Sequence, residues 1–369
     1  KCQQKETYVT KGPDTVNITF LIGNGFDVGV GMNSRFSDFF PIYRALSIDK
    51  PETFQKFAMD INANEEKWSY FEKQLGEYTI NFSKETTNVL IEQIKDFEQA
   101  FIEYITNQEE LLSYDDIETI SKVFLNALLN YYRHNNLPVE SSEAIERMYE
   151  QTVSTQHIYN FIVFNYTYIF DNCIKCFDKK IVCKRKFGRD EITDKIGKIV
   201  HVHGYKDFYP IMGLNDEGQI ANKELAKDKK IQRFLIKPQI NKALRMKYDN
   251  ESLDLIKKSS IICVYGMSLG ETDKKWWAAI LDRLNSNGAC QLVIFDYDDN
   301  YRPTSPYDWL DKEDSIMDKL FSYSTGNYNF EEMRTRIHIA VNKTIFKVDL
   351  MKKHNDMMDS VLAKLATTM

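Results

Sequence analysis

The chain has 369 residues, 43% of them hydrophobic and 28% charged, and a formal net charge of −6. This is the composition of a globular protein with room for one large domain or two ordinary ones, and the acidic balance argues against broad nucleic-acid binding, which needs a basic field. No apolar run reaches the length of about 18 residues that a membrane helix needs, and six cysteines scattered over so long a chain suit a reducing, cytoplasmic setting better than a disulfide framework.

Residues 1–15, which open Lys-Cys-Gln-Gln, carry no apolar signal segment and read as a tail. Ile18–Ile22 is a short, continuous apolar run ended by Gly23-Asn24-Gly25, the pattern of a buried parallel strand entering a tight turn. Asp27 follows at once, with Gly29 and Gly31 close behind. Glycines spaced in this way let backbone N–H groups approach a phosphate, and equally let a chain turn sharply with no ligand at all. Over residues 46–150 apolar residues recur at three- and four-residue spacing, as in Asn88–Tyr104 and Asp116–Tyr132, which predicts amphipathic helices. One of these helices is expected to open at Trp68-Ser69-Tyr70-Phe71-Glu72.

Strand-like runs return at Tyr159–Phe164, Ile199–Val202, Ser260–Tyr265, Cys290–Phe295, Ile337–Val341 and Thr344–Val348, and Leu350–Leu365 reads as a closing helix. Lys179–Arg189 and Asp216–Lys230 read as solvated loops. The expected fold is α/β: a doubly wound parallel sheet formed by residues 16–45 and 151–369, with residues 46–150 inserted as a helical region after the first βα unit.

Small or polar residues close four of these strands, at Gly23–Asp27, Asn165-Tyr166-Thr167, His203-Gly204 and Gly266–Gly270. Ligands of doubly wound sheets bind at the carboxyl ends of strands, which makes these ends candidates for one crevice. His203, two residues after His201, suits acid/base work near neutral pH, although a strand-end histidine bonded to a carbonyl explains it as well. Asn165 suits a ribose hydroxyl or a water, or the capping of a turn. Glu72, among aromatic residues, is either a carboxylate with a raised pKa or a plain solvated glutamate. Ser268 and Thr272 are placed to cap the helix that carries Trp276 and Trp277, whose N-terminus also favours an anion. Asp296, Asp298 and Asp299 follow another strand and read as ribose ligands or as a surface turn. Cys173 and Cys176 form a CxxC without a second pair, better explained by helical spacing than by zinc, and no third ligand joins the two histidines, so no metal is expected. The absence of GxxxxGK[ST] and GxSxG argues against P-loop phosphoryl transfer and serine acyl chemistry.

Taken in order, Ile22-Gly23-Asn24-Gly25-Phe26-Asp27 with Gly31, Phe36-Ser37-Asp38-Phe39, Trp68 to Glu72, Phe164–Thr167, His201–Gly204, Met212-Gly213-Leu214 and Gly266–Asp273 resemble the AbiH family of bacterial phage abortive-infection proteins over most of the chain. That family looks similar in turn to sirtuins and sirtuin-like NADases, where a glycine loop, an Asn-bearing strand end, a His-Gly and a Gly-x-Ser-Leu follow one another. The resemblance implies a Rossmann-like, sirtuin-type sheet and an antiviral role as an NAD glycohydrolase, with NAD as substrate or ligand. It implies that Gly23, Asn24 and Gly25, with Phe26 and Gly31, cradle the pyrophosphate. Asn165 would hold the nicotinamide ribose or the attacking water, and His203, beside Gly204, would be the acid/base group. Gly266 and Ser268 would contact a phosphate or ribose, Asp296 a ribose hydroxyl, and Asp27 or Glu72 would stabilise positive charge on the sugar. Asp27 stands where sirtuins carry Ser, so it needs a ribose hydroxyl, a positive neighbour such as Arg35 or Lys237, or an empty site. The sirtuin zinc ribbon has no counterpart, so deacylation is not implied. The partners expected are a nucleotide or dinucleotide and a phage-derived trigger or further copies of the chain, with no membrane or nucleic acid. A nucleotide sensor without turnover, and a metal-dependent nuclease using Asp27, Glu72 and Asp296–Asp299, are the alternatives.

Overall fold

The computed structural model describes residues 15–61 and 68–352, with the backbone alone for residues 68–70. Residues 1–14 of the expected tail and most of the expected closing helix lie outside the described residues, and Thr15, expected in the tail, opens the first strand instead. Among the described residues seven strands form one sheet: β1 (Thr15–Ile22), β2 (Gln156–Val163), β3 (Ile181–Phe187), β4 (Asp190–His201), β5 (Ile261–Tyr265), β6 (Gln291–Asp296) and β7 (Ile337–Val341). They lie in the order β3-β4-β2-β1-β5-β6-β7, parallel throughout except for the β3–β4 hairpin. The chain starts at the centre, winds outward through β2 and β4, then returns to β5 on the far side of β1. Its direction of winding therefore reverses between β1 and β5.

The first half carries α1 (Gly25–Gly29), α2 (Phe36–Leu46), α3 (Glu52–Asp60), α4 (Trp68–Tyr78), α5 (Thr87–Glu109), α6 (Ile117–Asn130) and α7 (Val139–Gln151), all between β1 and β2. After β2 come α8 (Ile169–Ile174), then α9 (Lys229–Leu235), α10 (Lys237–Ala243) and α11 (Tyr248–Lys258), and finally α12 (Lys274–Ser286), α13 (Pro306–Phe321) and α14 (Phe330–Arg334). Successive strand residues face opposite sides of a sheet, so each central strand feeds two cores. Phe20, Phe161 and Cys263 pack against the helices of the first half; Leu21, Ile162 and Val264 pack against Trp277 of α12 and Leu320 of α13. The first core is strongly aromatic: Phe36, Phe39 and Phe71 surround Phe97 of α5, with Phe71 and Phe97 stacked at 4.3 Å.

Three sequence expectations fail here. Lys179–Arg189 holds β3, whose charged residues belong to a sheet edge, where they discourage further pairing. Asp216–Lys230 is not a solvated loop throughout, since Ile220 and Leu225 are fully buried. Thr344–Val348 forms no strand; it runs as an irregular strap that buries Phe346 against Phe26, Phe124 and Tyr265, and Leu350 N–H then bonds Val30 O at 3.0 Å. Its apolar residues serve burial rather than a ladder.

Candidate functional site

The turn after β1 meets the turn after β5 backbone to backbone. Gly23 N–H donates to Tyr265 O at 2.9 Å and Gly25 N–H to Gly266 O at 2.8 Å. A Cβ on Gly25 would lie 2.6 Å from Gly266 Cα, and one on Gly266, itself at φ +70°, would lie 2.6 Å from Phe26 N. Glycine is required because nothing larger lets these loops touch. The amides of Gly23 and Gly25 are thus engaged with the neighbouring loop. Gly25 and Ser268 are exposed at this junction, while the side chain of Asn24 is clasped by Ser34. Gly31 and Gly204 both sit at positive φ against Met351 and Tyr209 respectively, and Phe26 belongs to the core.

Asp27 is 1% exposed. Its carboxylate accepts hydrogen bonds from Asn165 Nδ2 at 2.7 Å and Thr167 Oγ1 at 2.8 Å, and the same Asn165 nitrogen reaches Gly23 O at 3.2 Å. Burial pushes the carboxyl up to about 7, against the pull of these two donors and with the charge of Glu109 adding to the rise. Neither expected cation compensates it: Arg35 is exposed, and Lys237 pairs with Glu72. Asp27 and Asn165 therefore face each other as a strut between β1 and β2. His201, also 1% exposed, fastens the other side of Asn165, with Nδ1 3.0 Å from Asn165 O and Nε2 2.7 Å from Asp171.

The accessible chemistry lies on the adjoining residues. His203 Nδ1 is 3.2 Å from Phe164 O; a carbonyl only accepts, so Nδ1 carries the proton and Nε2 keeps its lone pair in the neutral ring. Burial, reinforced by the nearby Lys237 charge, holds the imidazole well below its ordinary pKa. Tyr166 lies across it with ring centroids 5.9 Å apart. Glu72 of α4 forms an ion pair with Lys237 at the start of α10 and takes a hydrogen bond from Thr272. Burial raises Glu72 despite Lys237, and pushes Asp273 up to about 7, with Lys237 opposing and Glu72 adding to that rise. Glu72, Tyr166, His203 and Asp273 are each part-buried and keep some accessible surface. Beyond Asp273, the first turn of α12 borders a cleft of about 420 Å³ that includes Asp216 and Lys274.

Two expectations are corrected by this geometry. Neither Ser268 nor Thr272 caps α12, whose N-cap residue is Asp273; Thr272 serves Glu72 instead. The carboxylates wanted for a metal-dependent nuclease stand apart in different company: Asp27 with Asn165, Glu72 with Lys237, Asp296 with Lys312 at 2.7 Å. Among the described residues, no group of three or more His, Cys, Asp and Glu is arranged to hold a metal. Sequence reasoning missed Thr167, Tyr166 and Asp273 as members of the site. Each lies within a motif already singled out, but nothing in the residue order says which members point inward.

The family described as Bacteriophage abortive infection AbiH matches residues 19–296, from β1 to the end of β6. The chain belongs to the AbiH family. All four strand ends and the helices between β1 and β2 fall inside the AbiH match, whereas β7 and the strap carrying Phe346 lie beyond it. No curated protein matches this AbiH chain. Among its described residues no helix is long and apolar enough to cross a membrane.

Proposed function

We propose that this AbiH protein is an NAD⁺ hydrolase that acts in abortive infection by cleaving the nicotinamide–ribose bond, depriving the infected cell and the phage of the dinucleotide. The observation that carries the reading is the meeting of four strand ends where the winding reverses between β1 and β5, beside a neutral imidazole with a free acceptor nitrogen. Counted alone, the six parallel strands have the order 3-2-1-4-5-6, that of a Rossmann-like sheet, whose ligands bind at this reversal. In this reading the diphosphate lies over the Gly25–Gly266 junction, near Asn24 and Ser268, and the nicotinamide end enters the crevice of His203.

The bond between ribose C1′ and the ring nitrogen breaks with its electron pair going to the ring. Nicotinamide departs neutral, and positive charge develops on the sugar. Water attacks C1′ and gives its proton to Nε2 of His203, yielding ADP-ribose. Asn165 acts through position: locked by Asp27, Gly23 O and His201, it fixes the β2 turn that carries Tyr166.

The test is nicotinamide release from NAD⁺ by the purified chain and by His203→Ala. Loss of a general base is expected to lower kcat by about 10²-fold or more, with the melting temperature retained. Turnover that is unchanged in His203→Ala refutes the assigned role, and tight NAD⁺ binding without any nicotinamide release by the wild type favours a sensor over an enzyme.

A further inference from the structure

The crevice has an imbalance of charge that the protein itself does not settle. Among the described residues its one cation, Lys237, is bound to Glu72. The next two lysines are turned away, Lys274 to Asp216 at 2.6 Å and Lys275 to Asp249 at 2.7 Å. His203 is neutral, and Glu98 of α5 adds a further enclosed carboxyl near Tyr166. Among the described residues no cation pairs with Asp273 and no side chain hydrogen-bonds it. A second acceptor is also left over: Asn241, one turn beyond Lys237 on the same face of α10 and 4% exposed, has Oδ1 without a partner while its Nδ2 reaches Asp249. A buried amide oxygen without a donor is costly unless a ligand supplies one, whereas Asp273 keeps some accessible surface and is open to a partner.

We infer that the crevice selects a ligand whose aromatic ring carries a positive charge, with Asp273 as the counter-ion, and discriminates against a neutral ring of the same shape. Tyr166, stacked on His203, lies close enough to Asp273 to feel its charge, and a cation is drawn to an aromatic ring as well as to a carboxylate. The inference deepens the proposed function and rests on that reading for the identity of the ring, a pyridinium. It also assigns Asp273 a task distinct from that of His203. The ring loses its charge when the glycosidic bond breaks, so Asp273 favours substrate over the departing neutral product. A contact stronger in the bound ground state than in the transition state lowers KM and gives no help to kcat, so Asp273 serves binding and specificity.

The groups around Asp273 fix the pH response. Glu72 from α4, Tyr166 after β2, Lys237 from α10 and Tyr323 after α13 lie near it. Asp273 has a pKa of about 7, so it is partly protonated at neutral pH, and a cation must displace that proton. Affinity for a cationic ring therefore rises with pH through neutrality.

The experiment titrates the full chain with 1-methylnicotinamide, a cation with no bond to cleave, with neutral nicotinamide, and with ADP-ribose, which lacks the ring. At pH 8 the cation is expected to bind at least about tenfold more tightly than nicotinamide, the size of one charge-assisted contact. That preference should shrink to below about threefold at pH 6 and in Asp273→Asn, with Asp273→Ser as a second variant if the first does not fold. Equal binding of the two rings by the wild type, or a preference that survives both substitutions, overturns the inference. ADP-ribose reports on the other reading separately. If it binds while the rings are not distinguished, the nucleotide site stands and the charge selection falls. If it does not bind while the cation preference depends on Asp273, the charge selection stands and the dinucleotide reading falls.

Discussion

Replacing Asp27 by asparagine removes a titration without removing a shape. The introduced amide can accept from Asn165 Nδ2 through its oxygen, while its nitrogen faces the Thr167 hydroxyl, which can turn to accept. In the wild type, burial lifts the carboxyl to about 7 in the fold, whereas the unfolded chain ionises near the ordinary value of about 4. Below that value both states are protonated and Asp27 costs nothing. Between the two values the unfolded state ionises and the native state does not, so native stability is lost as pH rises, and above about 7 the loss levels off. The full difference corresponds to about 4 kcal/mol at most. Asp27 is 1% exposed, so solvent screening reduces this little. Urea unfolding of wild type and Asp27→Asn, followed by tryptophan fluorescence from about pH 4.5 to 8.5, measures it directly. The stability of the variant relative to wild type should grow by about 2–4 kcal/mol across that range. A difference that stays constant within about 1 kcal/mol, or that moves the other way, refutes the strut as an enclosed carboxyl that is partly protonated at neutral pH.

Lys237→Met leaves Glu72 enclosed with no cation, which is expected to destabilise by about 3 kcal/mol at pH 8; the cost should diminish towards pH 5.5, as Glu72 escapes it by protonating, and melting curves at the two pH values check the sign. Gly266→Ala places a Cβ 2.6 Å from Phe26 N at a backbone φ of +70°, so both strain and overlap apply, and a loss of about 3 kcal/mol or more is expected. Gly188→Ala is the matched control: its φ is +62° with nothing within 4 Å of the added carbon, so it should cost only about 1 kcal/mol in the same denaturation assay.

The parts of this architecture that show in the sequence are those set by strong local patterns. Ile18–Ile22 is a central strand because a continuous apolar run can be buried on both faces, and the long periodic stretch around Phe97 is a helix because its apolar residues recur every turn. The β3 edge strand was missed because an edge needs little apolar content, so its lysines and arginine imitate a loop. Thr344–Val348 deceived in the other direction, since burial under a neighbouring helix produces the same apolar composition as a ladder. At the site, the residues after each strand stand out in the sequence, and the hydrogen bonds of Asn165 to Gly23 O and of His203 to Phe164 O tie the ends of β1, β2 and β4 together. What the order of residues could not give was pairing across long separations: that Lys237 goes to Glu72 rather than Asp27, or that Asn165 turns inward, depends on which loops the fold brings within reach.

Asp27 and Asp273 show why a raised pKa is a poor guide to function when taken alone. Both carboxyls are pushed to about 7 by burial. Asp27 is sealed and receives two neutral donors, so its chemistry is complete within the fold. Asp273 keeps accessible surface and, among the described residues, has no cation of its own. The first arrangement holds two strands in register; the second leaves an interaction for something else to complete. Glu72 extends the same logic to the helices between β1 and β2. It is the neighbour that both raises Asp273 and occupies Lys237, and it is delivered by α4. Those helices are therefore a wall of the crevice as well as a partner of the core, and a change that loosens α4 would release Lys237 to Asp273, removing the excess negative charge at the site.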